Sequence, residues 1–497
     1  MAEYFISSED AGNDLLAAAA FVGERISGAD GRAEAMAAVV PGYLVRGDVD
    51  LAAELANTVD DPFSRDKLLM AVAVKCADIK DNEYAWQLAD AIEDEGMRLQ
   101  TLERIGFINA NAGDIDAAEF AASQLPHPDH VQAAIAANIA TSERQQAVEK
   151  VEGIVFPTAR VLAYHRIAQA DIDGDNYELA AEMLDRAAAS ADEIEHTEER
   201  VRCLIDTAQM YSGAKRNDLA VQTIAAAVED AQTIENIHRD YFIGMCALGF
   251  VLAGSRDTAE RTLDLVTDKT HMASSLLSFA KEDWRADDKE NALDNLDEAY
   301  EILNSQKETE TRDSRSRNTL WTSIAVQFAG FGKTERGLEI ARDNIDPDEV
   351  LKAIGQIAEV LVIQNESDLA IETAVSSGEP IPSAHALIAV ADELIKKDDS
   401  SKARYALDKA VEVVDGIPQI SAHVDVLIAV AARIKHIGDE TSAAAIADNG
   451  IKLITKINDE SRRVTALAEL SGVFDDIAQL SEASRHEIDE LIYKATQ

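Results

Sequence analysis

Residues Ala170–Leu184 read ADIDGDNYELAAEML, and two structures compete for them. Asp171, Asp173, Asp175 and Glu182 stand at the first, third, fifth and twelfth places of a calcium-binding EF-hand loop. The same letters also fit a turn between two helices, with Asp171 and Asp173 ending the first and Glu182 lying on the second. The calcium loop asks for glycine where Asn176 stands, and for an apolar residue where Glu178 stands. The rest of the chain decides between the two.

Similar stretches recur at Gly47 (GDVDLAAEL), Asp81 (DNEYAWQLA) and Gly113 (GDIDAAEFA), each a turn followed by an alanine-containing amphipathic run. One anchor per unit gives Ala52, Ala85, Ala118, Ala147, Ala180, Ala220, Ala259, Ala292, Gly337, Ala370, Ala403 and Ala443. Successive anchors are 29 to 45 residues apart and most often 33, a solenoid period. Twelve residues before the anchor a small residue recurs, as at Ala73, Gly106, Ala168, Ala208, Ala280 and Ala391, with Val40 and Ile135 as looser cases. Five residues before it stand Gly47, Gly113, Gly254, Gly332 and Gly438, or Asp175, Asp287, Asn365 and Asp398, or Lys80, Ser142 and Lys215. This spacing predicts a helix of about four turns, a left-handed terminating residue, and a second helix whose anchor faces the small residue of the first. Asp175 thereby becomes one copy of a repeated turn.

The pattern resembles the tetratricopeptide repeat family, which shows a small residue, a glycine-type turn seven residues on, and an alanine five beyond. Ala208, Lys215 and Ala220 follow that spacing, as do Ala325, Gly332 and Gly337. Tyr211, Phe250, Trp321 and Phe328 fall where the family favours large residues, and Ala187, Ala227, Ala299 and Ala410 add its further alanine. The resemblance runs from Gly31 to Lys456. It departs from the family in mostly lacking the proline after the second helix, and neighbouring helical-pair families stay open. It implies an all-α, right-handed α-solenoid of stacked antiparallel pairs, about 12–13 of them.

The expected organisation is a leading helix in 1–30, repeats in 31–303, a polar loop or exposed helix extension in 304–318 (NSQKETETRDSRSRN), repeats in 319–460, and a capping helix pair in 461–497. The polar stretch is a candidate divider between two halves of the array.

Charge narrows the function. The 497 residues hold 46 Lys plus Arg against 92 Asp plus Glu, a formal net charge of −46. Nucleic acid and anionic membranes are therefore unexpected partners. With 47% hydrophobic residues at helical spacing the chain has material for a core, so its acidity fits a folded protein that gains from screening salt. Sparse lysine beside that acidity fits a salt-accumulating halophile, or an acidic protein of an ordinary cell. Cys76, Cys203 and Cys246 lie far apart in apolar helical runs and read as buried thiols. The N-terminal apolar run follows acidic residues, unlike a signal peptide, and no apolar run reaches the ~18 residues of a membrane span; a cytoplasmic protein is expected.

No glycine-rich phosphate loop, G-x-S-x-G elbow or H-E-x-x-H motif occurs. His127 and His130, in HPDH, have a spacing that could share a metal, but Pro128 breaks the helix that would align them. No cofactor or metal is expected. The family resemblance implies a peptide groove lined by the first helices, at positions 18, 15, 11, 8 and 7 residues before each anchor. These include Lys67, His165, Gln169, Arg202, Gln209, Lys281, Trp284, Arg285, Lys352, His385, Lys396, Lys435 and His436. The cations among them would suit an acidic peptide or a C-terminal carboxylate; alternatively Lys396 and Lys435 only complement helix dipoles. Trp284 is a hot-spot aromatic if exposed and a core residue otherwise. The expected function is a non-catalytic scaffold that binds a protein or peptide. The alternative is a ligand- or peptide-sensing regulator, or a regulatory subunit of an enzyme, using the same groove.

Overall fold

The computed structural model describes residues 4–305, 314–345, 347–376, 378–474 and 476–497, with the backbone alone at 314–316, 344, 347 and 348. Among these residues 28 α-helices follow one another, with one short 3-10 turn, and no strand beyond an isolated bridge between Asp14 and Asp476. From Ala29 to Ile454 the helices fall into twelve consecutive pairs, Ala29–Arg46 with Val49–Asn57 being the first and Ile420–His436 with Glu440–Ile454 the last. The chain is an array of consecutive helix pairs.

The anchor positions explain the pairing. All eleven anchor alanines are fully buried, and Gly337 is buried with them. The residues twelve places earlier are buried too, Val40 and Ile135 included. The need for smallness is plainest at Gly106, where an added Cβ would stand 2.9 Å from both methyls of Val131 on the next pair's first helix.

The turns follow the same logic. Eleven of the twelve turn positions have positive φ, from 58° at Asp175 to 91° at Gly438, and Gly378 alone joins them among the described residues. Asp175 N–H donates to the Ile172 carbonyl (3.0 Å) and Asn176 N–H to the Asp171 carbonyl (2.8 Å), the paired closure that satisfies helix-end carbonyls. Lys80, Asp175, Lys215, Asp287, Asn365 and Asp398 hold this conformation with a side chain, against the Cβ clash that glycine avoids. Ser142 is the exception; there Glu143 N–H closes onto the Ile139 carbonyl at 2.7 Å, after the short first helix Asp129–Ile139.

The chain forms two compact units, one from Met1–Thr101 together with Lys333–Gln497, the other from Leu102–Gly332. Of the polar stretch 304–318, residues 306–313 lie outside the described residues, and Ser314 already begins the helix Ser314–Gly330. The unit boundary falls after Gly332 and not within the polar stretch.

In the first unit the leading segment holds two helices, Ser8–Ala11 and Leu15–Glu24. All ten residues of Leu15–Glu24 are buried. A helix apolar on every face must be covered on every face. Its cover comes from Ala29–Arg46 and from the chain's last helices, Glu460–Ser471 and Glu482–Ala495. An added Cβ on Gly23 would meet Met36, Ala35 and Val464 at 2.5, 3.3 and 3.5 Å. Ser461 Oγ donates to Glu34 (2.7 Å) and Ile477 N–H to the Asn13 carbonyl (3.2 Å). The tail thus holds the helices Glu460–Ser471 and Glu482–Ala495, and both pack on Leu15–Glu24.

Buried carboxylates tie successive pairs together. Asp240, in the first turn of Arg239–Leu252, accepts from the Thr267 N–H (2.7 Å), the Thr267 hydroxyl (2.8 Å) and the Asp268 N–H (2.6 Å), where the next first helix begins. Asp129 does the same for Val155 N–H at 2.6 Å, and Asp66 for Asp94 N–H at 2.9 Å. A second tie joins Arg144 to Asp171 (2.6 Å) and Arg256 to Asp283 (2.7 Å), each arginine three residues before one anchor and each aspartate nine before the next. Among the described residues no helix is long and apolar enough to cross a membrane.

Candidate functional site: the first-helix face

Antiparallel pairs leave a furrow between one first helix and the next, and two cavities of this chain lie in such furrows. In the unit Leu102–Gly332 a cavity of about 470 Å³ lies between Pro157–Asp173 and Thr197–Gly213, lined by His165, Gln169, Ile172, Asp206, Gln209, Met210 and Gly213. In the other unit a cavity of about 460 Å³ lies between Pro347–Ile363 and Pro380–Lys396, lined by Leu351, Lys352, Gly355, Gln356, Glu359, Pro382, His385, Ala386 and Ala389. A third, of about 280 Å³, is lined by Lys435, Glu440, Thr441, Ala444, Phe474 and Gln479. A fourth, of about 430 Å³, sits beside the loops at Pro126–Asp129 and Gly153–Phe156 with Lys150 and Gln132.

The structure therefore brings together His165, Gln169 and Gln209 in one cavity and Lys352 with His385 in another, and sets Lys435 in a third. Lys67, Arg202, Lys281, Arg285, Lys396 and His436 are exposed and line none of these four. Several cations have their own partners. The Lys67 ammonium lies 4.3 Å from the Phe63 ring. Arg285 pairs with Glu282, and Lys396 with Glu393 at 2.5 Å. Lys435 donates to the Val473 carbonyl at 2.6 Å and lies 4.7 Å from the Phe474 ring. Trp284 is half-buried, stacked on Phe331 at 4.0 Å with the Lys289 ammonium 3.8 Å from its ring, so it is a packing residue more than a free aromatic anchor.

The face is less cationic than the sequence pattern suggested. Burial holds the His165 imidazole down at about 4, so it is neutral near pH 7. Its Nε2 lies 2.8 Å from Thr207 Oγ, whose own hydroxyl donates to the Cys203 carbonyl; Nε2 must then carry the hydrogen, leaving Nδ1 an acceptor. Burial raises the Asp206 carboxyl against the opposing charge of Arg202. Burial likewise raises Glu359, helped by Glu393, and raises Asp425, with Arg462 opposing. Glu469 is raised by burial and by the charge of Asp425. Glu359 was not singled out in the sequence, although it stands eleven residues before its anchor; in a chain with 92 carboxylates nothing local marks the one that loses water.

The acidic stretch at Asp171–Glu182 is divided among separate partners. Asp171 is held by Arg144, Asp173 accepts from Gln169 (2.8 Å), Asp175 from the Tyr177 hydroxyl (2.5 Å) and Glu182 from Arg186 (3.3 Å). The turn reading prevails on geometry. Among the described residues no group of three or more His, Cys, Asp or Glu is placed to hold a metal; His127 lies edge-on to Phe156, 5.3 Å between centroids.

Neither a protein-family model nor a curated protein matches the chain. Solved structures do, distantly. Ton1535 from Thermococcus onnurineus NA1 is 15% identical over 73% of this chain and 98% of its own, with a TM-score of 0.25. Yeast Tom70 is 15% identical over 90% of this chain and 96% of its own, with a TM-score of 0.24. A signal-transduction ATPase with a tetratricopeptide repeat sensor from Pyrococcus horikoshii is 11% identical over 87% and 72%, with a TM-score of 0.22. At such TM-scores the superpositions add nothing to what the chain's own helix pairs establish.

Proposed function

We propose that this chain is a non-catalytic scaffold that binds a protein or peptide along the face made by its first helices. The observation that carries the reading is the placement of cavities in furrows between consecutive first helices, open to one side, where an extended segment can lie across several repeats. Site-specific photo-crosslinkers at Gln169 and His385, on this face, and at Glu229, on the exposed side of the second helix Asn217–Gln232, test it in the native cell. The expected result is a polypeptide captured at Gln169 and at His385, each on its own unit, and none captured at Glu229. Capture from Glu229 alone, or from none of the three, overturns the reading.

The same proposal places the chain in the cytoplasm of a salt-accumulating cell, on the strength of its net charge of −46. Thermal unfolding should then shift strongly upward between low and molar KCl, and a flat response sinks that part.

A further inference from the structure

We propose that the cavity between Pro347–Ile363 and Pro380–Lys396 takes a lysine or arginine side chain of the partner, with its cationic head on the Glu359 carboxylate. This rests on the scaffold reading and names the chemistry of one of its subsites.

Glu359 is half-buried in the cavity wall and makes no hydrogen bond or ion pair among the described residues. The carboxylates around it are already held. Asp392 receives Arg433 through two bonds of 2.8 and 2.7 Å, and Glu393 receives Lys396. Lys396, whose charge opposes the rise at Glu359, is thus held by Glu393. A desolvated carboxylate with like charges nearby and no partner of its own is stabilised by an incoming cation.

The walls fit the rest of such a side chain. Leu351, Pro382, Ala386 and Ala389 give an apolar lining, and Gly355 keeps it open, since a Cβ there would stand 3.4 Å from that of Ala386. Lysine and arginine bury an apolar stem while the charged head seeks a polar group. A carboxylate in the same place would meet Glu359, Asp392 and Glu393. Lys352 is seven residues back, about 10 Å along the helix axis, so it bounds the far end of the slot without neutralising Glu359.

Binding of labelled, end-blocked octapeptides to the full chain tests this, with a central pair of Arg, Lys, Ala or Glu in a Gly/Ser frame, in 0.1 M and 1 M KCl. The Arg and Lys peptides should bind at least tenfold more tightly than the Ala and Glu peptides, and a preference should persist at 1 M KCl, because a partly buried pair is screened less than a surface one. Glu359→Gln should remove most of that preference with no fall in melting temperature, while Glu335→Gln, exposed and outside the cavity, should leave it intact. Equal losses in the two variants would mean general attraction to an acidic surface and overturn the proposal, as would preference for the Glu peptide. If a polypeptide is captured at Gln169 and His385 but the octapeptides show no basic preference, the scaffold stands and this subsite falls. If nothing is captured and no peptide binds, both fall.

Discussion

Nine residues before the anchor, three pairs of the unit Leu102–Gly332 place Asp171, Tyr211 and Asp283 and two more place Phe250 and Phe328, while three pairs of the other unit place Leu361, Leu394 and Ile434. All eight are buried. Each polar one has a partner: Arg144 for Asp171, the Asp185 carboxylate for the Tyr211 hydroxyl (2.5 Å), and both Arg256 and Asn295 for Asp283. The aliphatic ones need none. The helix pair fixes the position and size of the slot, and its chemistry is free so long as a neighbouring pair supplies what a buried polar group requires. A tie of packing in some pairs does what a tie of charge does in others.

The largest way to break the comparison is to move one solution into the other's setting. Leu394→Asp puts a carboxylate into a fully packed slot with no arginine opposite it. A loss of about 4 kcal/mol is expected, with local unfolding around Pro380–Val414 seen by hydrogen exchange. Next in size is Asp240→Ala, which leaves two backbone N–H groups and a hydroxyl without their acceptor; about 3 kcal/mol should be lost in urea titration at pH 7. Burial opposes the charge of Asp240, but bonds from Asp268 and Thr267 prevail and hold its pKa below the ordinary value. Its contribution is therefore complete above about pH 4, the unfolded value, and is lost as pH falls through the folded one. The gap between wild type and Asp240→Ala should narrow in acid; a constant gap contradicts the assignment.

A gentler exchange sharpens the comparison. Converting the charged tie to an apolar one, Arg144→Met with Asp171→Leu, should leave stability unchanged or raise it by about 1 kcal/mol, while Arg144→Met alone destabilises. If the double variant is as damaged as the single, the two solutions are not interchangeable. The smallest effect concerns the turns common to both units. Lys80→Gly relieves a left-handed lysine and should add about 0.5 kcal/mol, glycine's entropy offsetting part of the gain.

Much of the fold could be read in the sequence because it is local. The anchor, the small residue twelve places earlier and the turn between them lie within one helix pair, so their spacing is written directly in the chain. Even Lys80 and Lys215 were located at the turn by register, against their own preference. The cover of Leu15–Glu24 could not be read that way. Ser461 and Glu34 are 427 residues apart, and no periodicity announces such a contact. The apolar string LLAAAAFV did carry a hint, since an outermost helix of an array should have one polar side. The candidate site is legible to a lesser degree. Register put His165, Gln169 and Gln209 together, and Lys352 with His385. It could not say that His165 is neutral or that Glu359 lacks a partner, because desolvation is a property of the assembled furrow.

The burial of Leu15–Glu24 under Glu460–Ser471 also has a consequence for biosynthesis. A ribosome delivers that apolar helix long before the segment that covers one of its sides. Until then the nascent chain carries an uncovered greasy surface, which is what chaperones hold and proteases select. The contact between early and late helices thus ties the burial of Leu15–Glu24 to the synthesis of Glu460–Ser471.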